Sequence, residues 1–260
     1  MLATVNDLVK LLEELMPSNL AEDWDNVGLM LGRKGKTVKK ILLALDLSKE
    51  VVEQAVAQKI DLIITHHPAI FKKLKRVVDN DWQQELLLTL AENGIAVYSA
   101  HTNLDCVSAG VNDVLAKLLK LEDIEVLDDS NGLGRIGVVV EEASLAEYAQ
   151  VVKAALKADY VVIADAGKKV HKVAVCGGAG SDLIDLALAK GADTLVTGDV
   201  KYHSAQQAVF SGLNIIDAGH QPTELPVLEK LADRLSLRLV ERDMDVVVNV
   251  AKETLILRHV

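Results

Sequence analysis

One short pattern occurs twice in this chain and decides most of what it can fold into. Asp61-Leu62-Ile63-Ile64-Thr65 and Asp193-Thr194-Leu195-Val196-Thr197 are each an acid followed by an apolar, largely β-branched run. Such a run reads as a buried strand, and a unit that recurs along a chain sets its architecture. The flanking segments recur in the same order. In the first half KKILLALD (39–46) reads as a strand and KEVVEQAVAQK from Lys49 as a helix, with Val52, Ala55 and Val56 on one face. DLIITHHP, a helix over Trp82 to Glu92 closed by Asn93-Gly94, and IAVYSAHTNLD complete it. The second half runs HKVAVCGGAG from His171, SDLIDLALAKG, ADTLVTGDV, HSAQQAVFSG and NIIDAGHQPTE: strand, helix, strand, helix, strand.

Short strands alternating with helices imply right-handed β-α-β crossovers. The expected fold class is therefore α/β: two similar, interleaved α/β halves from an internal duplication, with largely parallel sheets and a metal site in the cleft between them. The glycine-rich NGLGRIGVVV from Asn131 divides the chain into residues 1–130 and 131–260, and Ser144 is set to cap the helix that follows.

All the polar motifs then fall at the carboxyl ends of strands, where open α/β sheets hold their ligands. Adjacent side chains on a strand diverge, so His66-His67 would not serve one site if the strand continued; Pro68 stops it. Superposing the repeats puts His66 and His67 opposite Gly198 and Asp199, and His101 opposite His220. Four residues beyond each of the latter stands an acid, Asp105 or Glu224. Imidazole and carboxylate together are the donor set of borderline divalent metals. His66, His67, Asp105, His220 and Glu224 are too many for one catalytic ion with an open position and suit two ions sharing carboxylates. The expected cofactors are two divalent ions per chain: Zn, Fe, Mn, Ni or Co.

Three roles stay open for His101: support of a ligand, proton transfer, or a purely structural one. In TGDVKYH, Asp199, Lys201 and His203 are candidates for holding a substrate, with the lysine answering an anion and His203 moving protons. A solvated loop is the alternative. CGGAGSD offers backbone N–H groups to a phosphate, or else a tight turn packed against its helix.

Bulk properties narrow the partners. The formal charge of −10 and the 3% aromatic content disfavour nucleic acid. No apolar run approaches a membrane span, and the N-terminal MLATVNDLVKLLEELMP is patterned as an amphipathic helix with acids rather than as a signal peptide, so a cytoplasmic location is expected. Cys106 and Cys176 lack the spacing of a disulfide framework or thiolate zinc site and read as small buried hydrophobes.

AEDWDNVGLMLG (Ala21 to Gly32), DLIITHHP, SAHTNLD, GLGRIG, VCGGAGSDL, ADTLVTGDVKYH and DAGHQPTE stand in the order seen in the Ngg-interacting-factor-like family, whose bacterial members are described as GTP cyclohydrolase 1 type 2 homologues. The chain resembles the short form, without an added domain between its halves. The resemblance implies a two-metal centre on the same five residues, a homo-oligomer built as a toroidal hexamer, and activity on a nucleotide substrate. Two functions of different class follow: a dinuclear hydrolase opening the ring of a purine nucleotide, or a metal-binding hexameric assembly that handles metal or binds a regulatory partner without catalysis.

Overall fold

The computed structural model describes residues 2–258, which divide into two compact units. The first runs through Leu104 and resumes from Leu228 to Thr254; the second takes Asp105 to Val227 and the segment from Leu255. The chain thus first passes between units at Leu104/Asp105, ahead of the glycine-rich stretch near Asn131.

In the first unit the strands are β1 (Ala3–Thr4), β2 (Gly28–Leu31), β3 (Thr37–Val38), β4 (Lys40–Ala44), β5 (Leu62–Thr65) and β6 (Ala96–Ser99). β1 and β3 pair as a small antiparallel ribbon, while the main sheet has the order Val247–Val250, β4, β5, β6, β2. Its first four strands are parallel and β2 is antiparallel to β6. Each helix starts where a side chain takes its free N–H groups. Thr4 and Asp7 form a capping box for Val5–Leu15, Ser48 caps Lys49–Gln58, and Asp81 accepts from Gln83 and Gln84 to start Trp82–Glu92. The core on one sheet face takes Leu42, Ala44, Ile63 and Val97 from the strands and Val51, Val52, Ala55, Leu87 and Leu90 from the helices. Val51 replaces Val56 on the expected face; Val56 is exposed, because Val51, Val52 and Ala55 complete one turn.

The second unit contains β7 (Glu122–Val126), β8 (Arg135–Ala143), β9 (Val162–Ala164), β10 (Val170–Val175), β11 (Thr194–Thr197) and β12 (Asn214–Asp217). The sheet order is β7-β8-β10-β11-β12-β9. Only β10, β11 and β12 are mutually parallel; β7, β8 and β9 run against their neighbours. The sheets are therefore mixed, which corrects the expectation of largely parallel ones. β7 and β8 are joined by a short turn, which only an antiparallel pair permits. Both faces of this sheet are covered. Val173 and Val175 enter one core with Val196 and Ile216, while Ala174 and Cys176 enter another with Leu195 and Ile215, which is why these strands lack polar alternation.

The acid that opens each repeated strand has one job in both units. Asp61 Oδ2 accepts from the N–H groups of Lys39 (2.8 Å) and Lys40 (3.2 Å). Asp193 Oδ2 accepts from His171 (2.9 Å) and Lys172 (2.6 Å). Each carboxylate ties the start of its own strand to the start of the preceding one, setting a parallel register that two separate helices must otherwise fix.

Candidate metal centre

In the first unit, the end of β5 answers the problem of two adjacent histidines. The N–H of His66 donates to the Ala44 carbonyl (3.0 Å) and that of His67 to the Leu45 carbonyl (2.8 Å). Consecutive N–H groups bonded to one neighbour break the ladder's alternation, so the two side chains need not diverge. Thr65 Oγ1 closes the bend by donating to the His67 carbonyl (2.8 Å). The two imidazole centroids lie 5.0 Å apart. His101, two residues past β6, joins them at 5.3 Å from His66 and 5.8 Å from His67. One nitrogen from each of the three lies within 4.8 Å of the others.

Every one of these rings is held by its Nδ1. His66 Nδ1 meets the Ala100 carbonyl at 2.9 Å, His67 Nδ1 meets Asp46 Oδ1 at 2.9 Å, and His101 Nδ1 meets Asp25 Oδ1 at 3.0 Å. A carbonyl and an ionised carboxylate only accept, so Nδ1 carries the proton in each ring and Nε2 is left as the donor atom to a metal. The side chain of Asp25 is fully buried. Burial alone would raise its pKa, but hydrogen bonds from His101 and from the hydroxyl and N–H of Thr102 outweigh it and hold the carboxyl well below its ordinary value.

In the second unit, Gly219 leads from β12 into the helical turn His220–Glu224. His220 Nδ1 donates to Asp199 Oδ2 at 2.7 Å, while its Nε2 faces Glu224 Oε2 at 3.3 Å. With Nδ1 protonated, Nε2 and a carboxylate oxygen are both electron-pair donors, and their approach is stable only around a shared cation, either a proton or a metal. Bonds of 2.0–2.2 Å at near-tetrahedral angles place two ligand atoms about 3.3–3.5 Å apart, so this pair is spaced for one ion. Glu224 is 3% exposed and Asp105 9%. Burial, and after it the charges of Asp105 and Glu224, push the pKa of the Cys176 thiol up.

The CGGAG turn serves this pair by its shape. A Cβ on Gly178 would stand 2.3 Å from Glu224 Oε1 and 3.3 Å from His220 Nε2, and one on Gly198 would stand 2.5 Å from the His220 nitrogen. Gly178 of this turn and Gly198 after β11 thereby leave room for His220 and Glu224. Asn112, fully buried, donates to the Asp105 carbonyl (3.1 Å) and accepts from Gly177 N–H (2.9 Å). Arg135 of GLGRIG binds the carbonyls of Gly132, Gly134 and Cys106 and pairs with Asp113, fixing the residue after Asp105.

The sequence-level candidates fall into three sets. His66 and His67 meet in one unit; His220 and Glu224 meet in the other, where Asp105 is buried. Asp199 touches His220 and adopts φ +53°. Lys201 and His203 are exposed at the start of the helix Tyr202–Phe210. Sequence reasoning left His101 open and did not single out Asp25, Asp46, Asn112 or Arg135. Asp25 lies in AEDWDNVG and Arg135 in GLGRIG, so those motifs carried a signal that only contacts decode.

The described residues of this mixed α/β protein thus bring imidazole and carboxylate groups together at strand ends where they could hold a metal ion, and among those residues no helix is long and apolar enough to cross a membrane. The chain belongs to the Duf34/NIF3 (NGG1p interacting factor 3) family, whose model matches residues 3–254. It is 37% identical over 255 residues to a GTP cyclohydrolase 1 type 2 homolog of Clostridium perfringens, covering 96% of each chain. A GTP cyclohydrolase 1 type 2 homolog of Lactococcus lactis is 38% identical over 235 residues, with 89% of this chain and 91% of that one covered. The crystal structure of a Bacillus cereus protein related to NIF3 matches with a TM-score of 0.94 at 26% identity over the full length of both chains.

Proposed function

We propose that the protein is a metal-dependent hydrolase of the GTP cyclohydrolase 1 type 2 kind, acting on a purine nucleotide at a dinuclear centre. His66, His67, Asp105, His220 and Glu224 hold the two ions, with His101 as a sixth donor. The observation that carries this reading is that His66, His67, His101 and His220 all have Nδ1 anchored on an oxygen, leaving four Nε2 atoms as donors. The names of the relatives supply the substrate class. When bound, divalent ions would lower the pKa of water and polarise the bond to be broken.

This chain's own groups do the rest. Asp25, Asp46 and Asp199 keep the imidazoles in one tautomer and one orientation. Lys201 answers the anionic part of the nucleotide, and His203 carries protons between solvent and the reacting atoms. His101 acts as a donor rather than as a proton carrier, since its Nδ1 is committed to Asp25.

The test is a nucleotide panel incubated with metal-loaded protein and followed by mass. Turnover is expected to disappear with chelator and return with a transition metal. Lys201→Ala and His203→Ala are expected to lower turnover with metal content unchanged. If fully metallated protein transforms no purine nucleotide, pterin precursor or simple phosphoester, the non-catalytic metal-handling reading takes its place. Assembly as a toroidal hexamer belongs to the same proposal. It is supported by an apolar groove of about 610 Å³ in the second unit, between edge strand β9 and the helix Tyr202–Phe210, where Val162, Tyr202 and Phe210 expose surface that a second copy would bury.

A further inference from the structure

The chain is poor in aromatic residues, with two Trp and two Phe, yet one of each meets beside the three histidines of the first unit. Trp24 and Phe71 lie 6.1 Å apart between ring centroids at an interplanar angle of 72°. His101 is 6.1 Å from Trp24 and 6.5 Å from Phe71. The two rings are nevertheless 60% and 47% exposed.

Their neighbours in sequence hold them there. Asp25 is bonded to His101 and Thr102, and Asn26 donates from Nδ2 to the carbonyl of Ile70, next to Phe71. Both ring-bearing segments are therefore tied down by polar contacts while the rings remain open to solvent. The exposed part of each ring adds no burial to the fold and is available to a ligand.

An angle of 72° makes a corner rather than a slot. A flat ring can stack on the free face of one side chain while meeting the edge of the other, the two favoured aromatic arrangements at once. Immediately after Phe71 come Lys72, Lys73, Lys75 and Arg76, all exposed, in a chain whose net charge is −10. Among the described residues, no ion pair engages these four cations.

We propose that Trp24 and Phe71 form a recognition corner that stacks a flat heteroaromatic ring beside the histidine cluster, and that Lys72, Lys73, Lys75 and Arg76 bind an anionic phosphate chain carried by that ring. This rests on the purine-nucleotide reading above and names the residues that select the ring. An apolar patch for a protein partner would not need cations directly adjacent, and a bare phosphate site would not need the aromatic pair.

The experiment uses the full-length protein with Trp82→Phe, which leaves Trp24 as the only tryptophan. Trp82 is 72% exposed at a helix start, so this change leaves the fold intact. Trp24 emission, excited beyond nucleotide absorption, is followed during titration with GTP, guanosine and inorganic triphosphate, and metal content is measured on the same samples. GTP and guanosine are expected to quench saturably, and triphosphate not to quench. Phe71→Ala should weaken both ligands by about tenfold or more, as for loss of one stacking side chain, and Phe71→Tyr should restore them. Lys72→Ala/Lys73→Ala should weaken GTP and leave guanosine unchanged.

Absence of quenching by either purine, or an unchanged affinity in Phe71→Ala, overturns the corner. Quenching by triphosphate alone overturns stacking in favour of an anion site. Turnover of GTP by metallated protein whose KM is untouched by Phe71→Ala would refute the corner while leaving the hydrolase standing. Protein that never binds metal would refute the hydrolase, with the quenching titration still deciding on the corner.

Discussion

Gly178→Ala separates the demands of the backbone from those of the site. Gly178 has φ +69°, a region that costs an L-residue about 1–2 kcal/mol. The added methyl would also stand 2.3 Å from Glu224 Oε1, against 3.4 Å for ordinary contact, so the carboxylate must retreat by about 1 Å. Metal–ligand distances tolerate only about 0.2 Å. The variant is therefore expected to lose the ion held by Glu224 as well as stability. Gly191→Ala supplies the control, having φ +78° and nothing nearer its Cβ than Lys172 Nζ at 4.0 Å. It should show a similar backbone cost with metal content intact. Urea unfolding of both proteins after chelation, paired with elemental analysis before it, reads the two quantities separately. If Gly178→Ala keeps its full metal content, the close approach of the glycine turn to Glu224 is not what the site requires.

Three further outcomes are expected. Burial raises the pKa of Asp61, but bonds from the Lys39 and Lys40 N–H groups and from Lys36 more than offset this and lower it. The stabilisation is thus present above the ordinary carboxylate value of 3.8 and lost as pH falls through the folded value. Asp61→Asn should cost about 1 kcal/mol at pH 7, and its difference from wild type in unfolding free energy should shrink below pH 3.8; a constant difference across that range contradicts the assignment. Phe210→Glu, at an 82% exposed position on the apolar groove, should lower the mass seen by light scattering if copies of the chain meet there, and an unchanged mass would remove the groove from the assembly. Asn112→Ala should weaken metal binding by about 10–100-fold, the usual effect of losing a group that orients ligands, because Asn112 holds both the Asp105 carbonyl and the Gly177 N–H; unchanged affinity in metal titrations would make its role purely structural.

The repeated strands, the helix over Trp82–Glu92 and the Ser144 cap were legible because each is written in local chemistry: β-branched runs, an Asn-Gly stop, a serine three residues before Glu147. The strands within NGLGRIGVVV and Tyr160–Ala164 were legible too, but the antiparallel direction of β7, β8 and β9 was not, since pairing direction depends on which distant segments meet rather than on the residues within one strand. The histidines and carboxylates of the candidate site were readable from adjacency and from the His-x-x-x-acid spacing. Their anchors were not: Asp25 lies 76 residues from His101, and no spacing rule links them. Asp199 was read from its place after a strand end as a candidate for holding a substrate, and its bond to His220 appears only once β11 and β12 are side by side.

The central claim is that imidazole and carboxylate donors at these strand ends hold two divalent ions. Elemental analysis of purified, dialysed protein tests it most directly, with Glu224→Ala measured alongside. The account predicts close to two ions per chain for the wild type and a clear loss in the variant; a reproducible value near zero for wild type, or equal content in the two proteins, would contradict it.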